Sequence, residues 1–286
     1  MPEIRAAVDG LYRAIDHALL TASREPPKRD RSPPSAGRLM RTIESEVIPR
    51  LLLIHGVSPA EPRSRSGVTA ADVELLASHL LARSDNFVDA FVLEIEARGV
   101  DLETLLLDLL APSARLLGVM WEEDLCDFTD VTIALARLQR LLRTVSGRFE
   151  MTEEWNPSGP TVLLAVTPGE QHTFGLTLVS EFFRRAGWSV FDEIPETETE
   201  VVQRVRQQWF SVVGFSLSGE LLRDRLASVI KSVRMSSRNR KVGVIVGGAM
   251  FQEHPEWVSL VGADASANDG LEAVVQSQSL SRLKGE

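Results

Sequence analysis

The chain of 286 residues is long enough for one large domain or two ordinary ones, each with its own core. Its composition, 44% hydrophobic and 25% charged, excludes a disordered chain; no run nears the roughly 20 apolar residues of a membrane span, and the N-terminus lacks a signal peptide's apolar core, so a cytoplasmic location is expected. The net charge of -9 disfavours unassisted binding to a polyanion, and a single cysteine, Cys126, excludes an internal disulfide or a zinc site built on cysteine pairs.

Residues 4–20 (IRAAVDGLYRAIDHALL) space Ile4, Val8, Leu11, Ile15 and Leu19 at helical intervals, which predicts a short amphipathic helix. The segments REPPKRDRSPPSAGR and VSPAEPRSRSG, on either side of a helical piece around LMRTIESEVIPRLLLIHG, read as Pro-rich breakers. From Arg24 to Arg65 nine Lys and Arg stand against five Asp and Glu, against the sign of the whole chain. That stretch reads as a solvated linker, with a weak contact to nucleic acid or an acidic partner as the alternative. Residues 1–68 are therefore expected to hold a helix and a flexible Pro/Arg-rich region.

At Thr69 the texture changes: TAAD carries a Thr cap and an acidic residue three positions on, as in a capping box. Helices are predicted at 69–83, 86–98, 101–110, 113–124 and 128–145, broken by short turns at Ser84-Asp85, Gly99 and Pro112. Short connections between amphipathic helices imply antiparallel neighbours, hence a helical bundle over 69–150. Cys126 reads as a small buried apolar residue of one of these helices.

After a linker, MTEEWNPSGP, the period switches over 160–286. TVLLAV, SVVGFSL, KVGVIVGG and, more weakly, SLVGADA are continuous apolar runs, with a shorter SVFDE. Continuous hydrophobicity means burial on both faces, as in a parallel sheet covered by helices. Between the runs lie GLTLVSEFFRRAG, TETEVVQRVRQQW, GELLRDRLASVIKSVRMS and DGLEAVVQSQSL, all with helical patterning. The expected fold class is α/β: an N-terminal helical bundle followed by a doubly wound, flavodoxin-like sheet of five parallel strands.

Open parallel sheets bind ligands at the carboxyl ends of their strands, near the point where strand order reverses. Three features fall there: Pro168-Gly169-Glu170-Gln171-His172-Thr173-Phe174-Gly175 after the first strand, Ser216-Leu217-Ser218-Gly219 after the third, and Gly247-Gly248 after the fourth. Singly, each has a bland explanation: a turn glycine, a helix-capping serine, a surface histidine. Together they set an imidazole, a hydroxyl and a glycine gap on one rim. An imidazole that binds a metal needs its other nitrogen's proton held by an acceptor, and Glu170 is suited to hold it. Ser216 offers a hydrogen bond in the same slot, and the two glycines leave bare backbone for a flat or elongated group. No G-x-G-x-x-G or Walker pattern follows the first strand, which weighs against a dinucleotide or nucleoside triphosphate.

On these residues the chain resembles the cobalamin-binding domain family, whose signature is Asp-x-His-x-x-Gly after the first strand, Ser-x-Leu after the third and Gly-Gly after the fourth. Here they read Glu170-x-His172-x-x-Gly175, Ser216-Leu217-Ser218 and Gly247-Gly248. The resemblance implies a Rossmann-like cobalamin-binding domain at 160–286, with the bundle capping the corrin's upper face. It implies His172 as the lower ligand of cobalt, and a nucleotide tail running past Ser216 and the glycine pair, with Thr173, Phe174, Leu217 and Ser218 beside it. Two positions depart from the pattern: Glu170 replaces Asp, and Ser218 replaces Leu.

The stretches GVMWEEDLCDFTDVTIALARLQRLLR, GEQHTFG and EFFRRAGW look like those of the AerR/PpaA group, cobalamin-binding antirepressors of photosystem genes. That likeness implies a regulator, not an enzyme, in which light acts on the corrinoid and the protein engages a DNA-binding repressor of the CrtJ/PpsR type. The chain shows no helix-turn-helix with which to bind a promoter itself. Trp121 is either core packing or, as in related photoreceptors, an aromatic over the corrin's upper ligand. Adenosylcobalamin photoreceptors carry a Glu-His pair ten and eleven residues after that Trp, where this chain has Val131 and Thr132. His17, His55 and His79 are the remaining candidates for an upper ligand, each better read as a partly buried structural residue, and His254 reads as a surface residue. Two alternatives stay open: a corrinoid carrier for methyl transfer, and a haem sensor on the same fold, for which one histidine is an adequate axial ligand.

Overall fold

A computed structural model describes residues 67–82, 85–148 and 159–285. The helix expected at 4–20, the basic Pro-rich stretch, His17, His55, residues 149–150 of the expected bundle and residues 151–158 of the linker lie outside the described residues.

Helix α1 (Ala70–Leu81) opens on the expected capping box: the Asp72 carboxylate accepts from Thr69 N–H at 2.8 Å while Thr69 Oγ1 accepts from Asp72 N–H at 3.3 Å. Arg98, just past α2 (Asp85–Ala97), donates to the same carboxylate at 2.9 Å and ties the two helices together. The two helices expected at 101–110 and 113–124 are one, α3, running from Leu102 to Glu122. Pro112 does not break it because residues Leu105–Leu110 form a π-helical segment, in which Ala111 N–H already donates five residues back to Leu106. A wider ladder tolerates the missing N–H of a proline just beyond it. By length and apolarity α3 is the one membrane-span candidate among the described residues. Leu105, Leu106, Leu109, Leu110 and Leu117 of α3 are nonetheless fully buried in the protein's own core. Helix α4 (Phe128–Arg148) completes the bundle.

The sheet has strands β1 (Thr161–Val166), β2 (Ser189–Glu193), β3 (Val212–Ser216), β4 (Gly243–Gly247) and β5 (Ala265–Ala267), all parallel, in the order β2-β1-β3-β4-β5. Order reverses between β1 and β3, where a doubly wound sheet opens a crevice. Helices α5 (Phe174–Arg185), α6 (Glu198–Gln207), α7 (Arg223–Ser236), α8 (Ala249–Glu253), α9 (Trp257–Leu260) and α10 (Gly270–Gly285) connect and cover the strands. The fifth strand lies later than SLVGADA suggested. Trp257 and Val261 stand one helical turn apart and both bury into the core, so that run begins as helix α9 and the strand forms only at Ala265.

Successive residues of β1 serve two cores. Val162, Leu164 and Val166 join a cluster that includes Leu76, Leu106, Leu138 and Phe183, and so is continuous from the bundle to one sheet face. Leu163 and Ala165 join Val213, Leu226 and Val246 on the other face. The unbroken apolar runs follow from this double burial. The shared first core also seats the bundle over the carboxyl ends of β1 and β3.

Candidate functional site

The loop after β1 is fastened before it reaches its histidine. Thr167 donates to Ser216 O through both N–H (3.0 Å) and Oγ1 (2.8 Å), Glu170 N–H closes a turn onto Thr167 O at 2.7 Å, and Arg225 of α7 donates to Pro168 O at 3.1 Å. Gly169 takes φ +87° in that turn, and a Cβ there would lie 2.6 Å from the Arg225 guanidinium.

Glu170 is buried, and each of its oxygens is used. Oε1 accepts from Gln171 N–H (2.8 Å) and His172 N–H (3.2 Å) and contacts His172 Nδ1, while Oε2 accepts from Ser218 N–H at 2.9 Å. Burial alone would raise this carboxyl's pKa. The hydrogen bond and charge of His172, with the Ser218 and His172 backbone donors, outweigh burial and hold it at about 2. When the ring is neutral, the ionised carboxylate holds its proton on Nδ1 and leaves the Nε2 lone pair free.

His172 Nε2 is buried and has no hydrogen-bond partner. A buried imidazole nitrogen left unpaired costs on the order of 1–3 kcal/mol, so a native one calls for an explanation. The ring borders a cavity of about 600 Å³ between bundle and sheet. Ser216 Oγ, on the same cavity wall, is also buried without a partner. Gly247 and Gly248 form the floor, and Gly248, at φ +112°, lies so close to Leu217 O that a Cβ would meet it at 2.2 Å.

Of the expected residues, Trp121, His172, Thr173, Phe174, Gly175, Ser216, Ser218, Gly247 and Gly248 all line this one cavity. Glu170 sits behind His172, where it orients the ring without facing the cavity. Leu217 does not belong with them: strand alternation turns its side chain into the opposite core, and only its carbonyl approaches, beneath Gly248. His79 is likewise not in the cavity; it stacks on Phe87 and packs against Phe91. His254 stacks on Trp257 and pairs with Glu256 at the surface. Val131 and Thr132 do line the cavity, on the bundle side, so no imidazole reaches it from there among the described residues.

Sequence reasoning missed Arg115, Gln139 and Asp269, which also line the cavity. Gln139 of α4 reaches Thr173 Oγ1 at 3.3 Å, a direct bundle-to-loop bond beside His172. One signal was available: Leu107, Ala111, Ala114, Gly118 and Trp121 recur at helical spacing along α3, with small residues at the middle of the stripe. Small residues on a helix face leave room for something other than a neighbouring helix.

No cluster of three or more His, Cys, Asp or Glu that could hold a metal occurs among the described residues. One imidazole beside a large, mostly apolar cavity therefore fits a metal that arrives in its own macrocycle, not a bare ion held by protein ligands. Residues 160–276 match the family model described as the B12 binding domain. An uncharacterized 20.5 kDa protein from the bchF-crtJ intergenic region of Rhodobacter capsulatus aligns over 96% of its length with 65% of this chain, at 30% identity. The chain belongs to the B12-binding domain family. Among solved structures, the monomethylamine corrinoid protein of Methanosarcina barkeri matches with a TM-score of 0.58 and 17% identity, over 73% of this chain and 98% of that one. That match shows a shared fold. A cobalamin-binding protein from Desulfitobacterium hafniense is a more distant neighbour, with a TM-score of 0.40 and 17% identity over 73% of this chain and 97% of that one. The residues that could hold such a group are His172, with its unpaired Nε2, and Ser216, Gly247 and Gly248 along the slot.

Proposed function

We propose that this chain is a cytoplasmic cobalamin-binding regulator, with His172 as the lower axial ligand, that acts without catalysis by binding a DNA-binding repressor of the CrtJ/PpsR type. The observation that carries the cobalamin part is the buried, unpaired His172 Nε2 of a ring that borders the cavity, while Glu170 holds Nδ1. Bound there, a corrinoid supplies a light-absorbing, ligand-exchanging metal centre. Glu170 fixes the ring's tautomer, the Gly248 backbone keeps the floor open, and the apolar bundle wall around Trp121 excludes water. The regulatory part is supported by the relative from the bchF-crtJ intergenic region. Light would act by changing the affinity of the two partners for each other, since a ligand shifts a regulator only through differential binding to its states.

Reconstitution of the purified chain with hydroxocobalamin tests the first part: retained corrinoid absorbance that is lost in His172→Ala is the expected result, and uptake unaffected by that substitution refutes it. Repressor affinity measured with cofactor bound, in the dark and after illumination, tests the second; equal values would leave a cobalamin sensor without light control. The shared fold with a monomethylamine corrinoid protein favours one second reading, a carrier for methyl transfer. Methyl exchange with a corrinoid methyltransferase would select it. Separate reconstitution with haemin covers the haem alternative, which a Soret band without corrinoid uptake would select.

A further inference from the structure

Besides His172, only two ionisable side chains among the described residues line the cavity: Arg115 from bundle helix α3 and Asp269 from the loop ahead of α10. The rest of the polar lining is uncharged, including Thr132, Gln139, Gln171, Gln252 and Asn268. Arg115 is exposed and forms no hydrogen bond or ion pair with any described residue; partial burial lowers its pKa while the Asp269 charge opposes that shift. Asp269 has one oxygen engaged: Oδ1 accepts from Glu272 N–H at 2.8 Å and caps α10, and Oδ2 accepts from none of the described residues. The cavity thus presents a guanidinium with five free donors and a carboxylate oxygen with free lone pairs, and their charges cancel.

That combination has a chemical complement. A primary carboxamide offers a carbonyl acceptor to the arginine and N–H donors to the aspartate, so both are satisfied at once. A carboxylate satisfies only the arginine and places an acceptor, and a charge, against Asp269. Discrimination of this kind comes as much from the group that repels the wrong ligand as from the group that attracts the right one. We infer that Arg115 and Asp269 form a carboxamide-reading pair that selects a macrocycle carrying peripheral amides, a corrinoid, over one carrying peripheral carboxylates, such as haem or a deamidated corrinoid. This rests on the corrinoid reading above and adds its specificity determinant, which comes half from the bundle and half from the sheet.

The test uses the full chain, the variants Arg115→Gln and Asp269→Asn, and three probes: hydroxocobalamin, each of its separated peripheral monocarboxylates, and haemin. Asn caps a helix as well as Asp does, so Asp269→Asn should fold, with circular dichroism as the check. Hydrogen bonds to charged groups are strong enough that the wild type should prefer the amide form over at least one monocarboxylate by about tenfold or more. Asp269→Asn should reduce that ratio, and Arg115→Gln should increase it. Opposite movements are a signature that a general loosening of the site would not produce. Hydroxocobalamin binding with the ratio unchanged in both variants overturns the pairing and leaves the corrinoid reading standing. A wild-type chain that takes up haemin and no corrinoid overturns both.

Discussion

Replacing Glu170 with Gln changes one atom and tests the whole arrangement around His172. The carboxylate now serves four donors: Gln171 N–H, His172 N–H and His172 Nδ1 at Oε1, and Ser218 N–H at Oε2. An amide keeps one acceptor. Its less costly orientation leaves the oxygen on the three loop donors and turns the NH₂ toward Ser218 N–H, donor against donor in a buried place. One buried donor left unpaired, with the remaining bonds weakened by loss of charge, should cost about 2–3 kcal/mol. For a chain of this size that lowers the apo-protein's melting temperature by roughly 5–10 °C and leaves it folded. Corrinoid affinity should fall further, by about 10–100-fold, because the imidazole loses its fixed tautomer and direction. Ser218→Ala is the control for stability: its bond to Glu170 comes from the backbone N–H, so the melting temperature should stay near wild type. Thermal unfolding and spectrophotometric titration with hydroxocobalamin provide the readouts. Affinity within twofold of wild type in Glu170→Gln would show that the carboxylate does not orient the ligand.

Three further outcomes are expected. Gly248→Ala places a Cβ 2.2 Å from Leu217 O at φ +112°, so it should lose about 3 kcal/mol or more in a denaturant titration, whereas Gly175→Ala meets nothing within 4 Å and should unfold like the wild type. The Cys126 thiol is pushed up to about 12, chiefly by burial and then by the charges of Asp130 and Asp127, so a thiol reagent at mildly alkaline pH should label it only once denaturant is added. Burial opposes ionisation of Asp72, but hydrogen bonds from Thr69 and Arg98 prevail and hold it below its ordinary 3.8. It therefore stabilises the fold above 3.8 and loses that contribution as pH falls below it, so Asp72→Asn should flatten the acid limb of the apo-protein's stability curve.

Much of the site could be read in order along the chain because its parts are local. Pro168 to Gly175 form a single loop whose contacts are mostly with itself, so Glu170 and His172 announce their pairing two residues apart. The capping box at Thr69 and the five apolar runs are likewise short-range signals: side-chain chemistry at fixed offsets for the one, double burial for the other. Two misreadings come from backbone geometry that composition does not show. Pro112 looked like a break until the π-helical segment ahead of it absorbed the missing donor. Leu217 looked like part of the slot because its neighbours are, yet strand alternation sends it the other way.

The sequence by itself determined the order of helices and strands, the rim on which the imidazole sits, and the carboxylate that holds it, because propensity, pattern and near-neighbour hydrogen bonding all act within a few residues. Only the tertiary structure decided what lines the cavity beside His172. Arg115 and Asp269 are 154 positions apart and line one cavity only because one continuous core seats the bundle on the sheet. Burial, which joins distant segments through apolar packing, leaves no periodic mark for a side chain that ends up facing an opening.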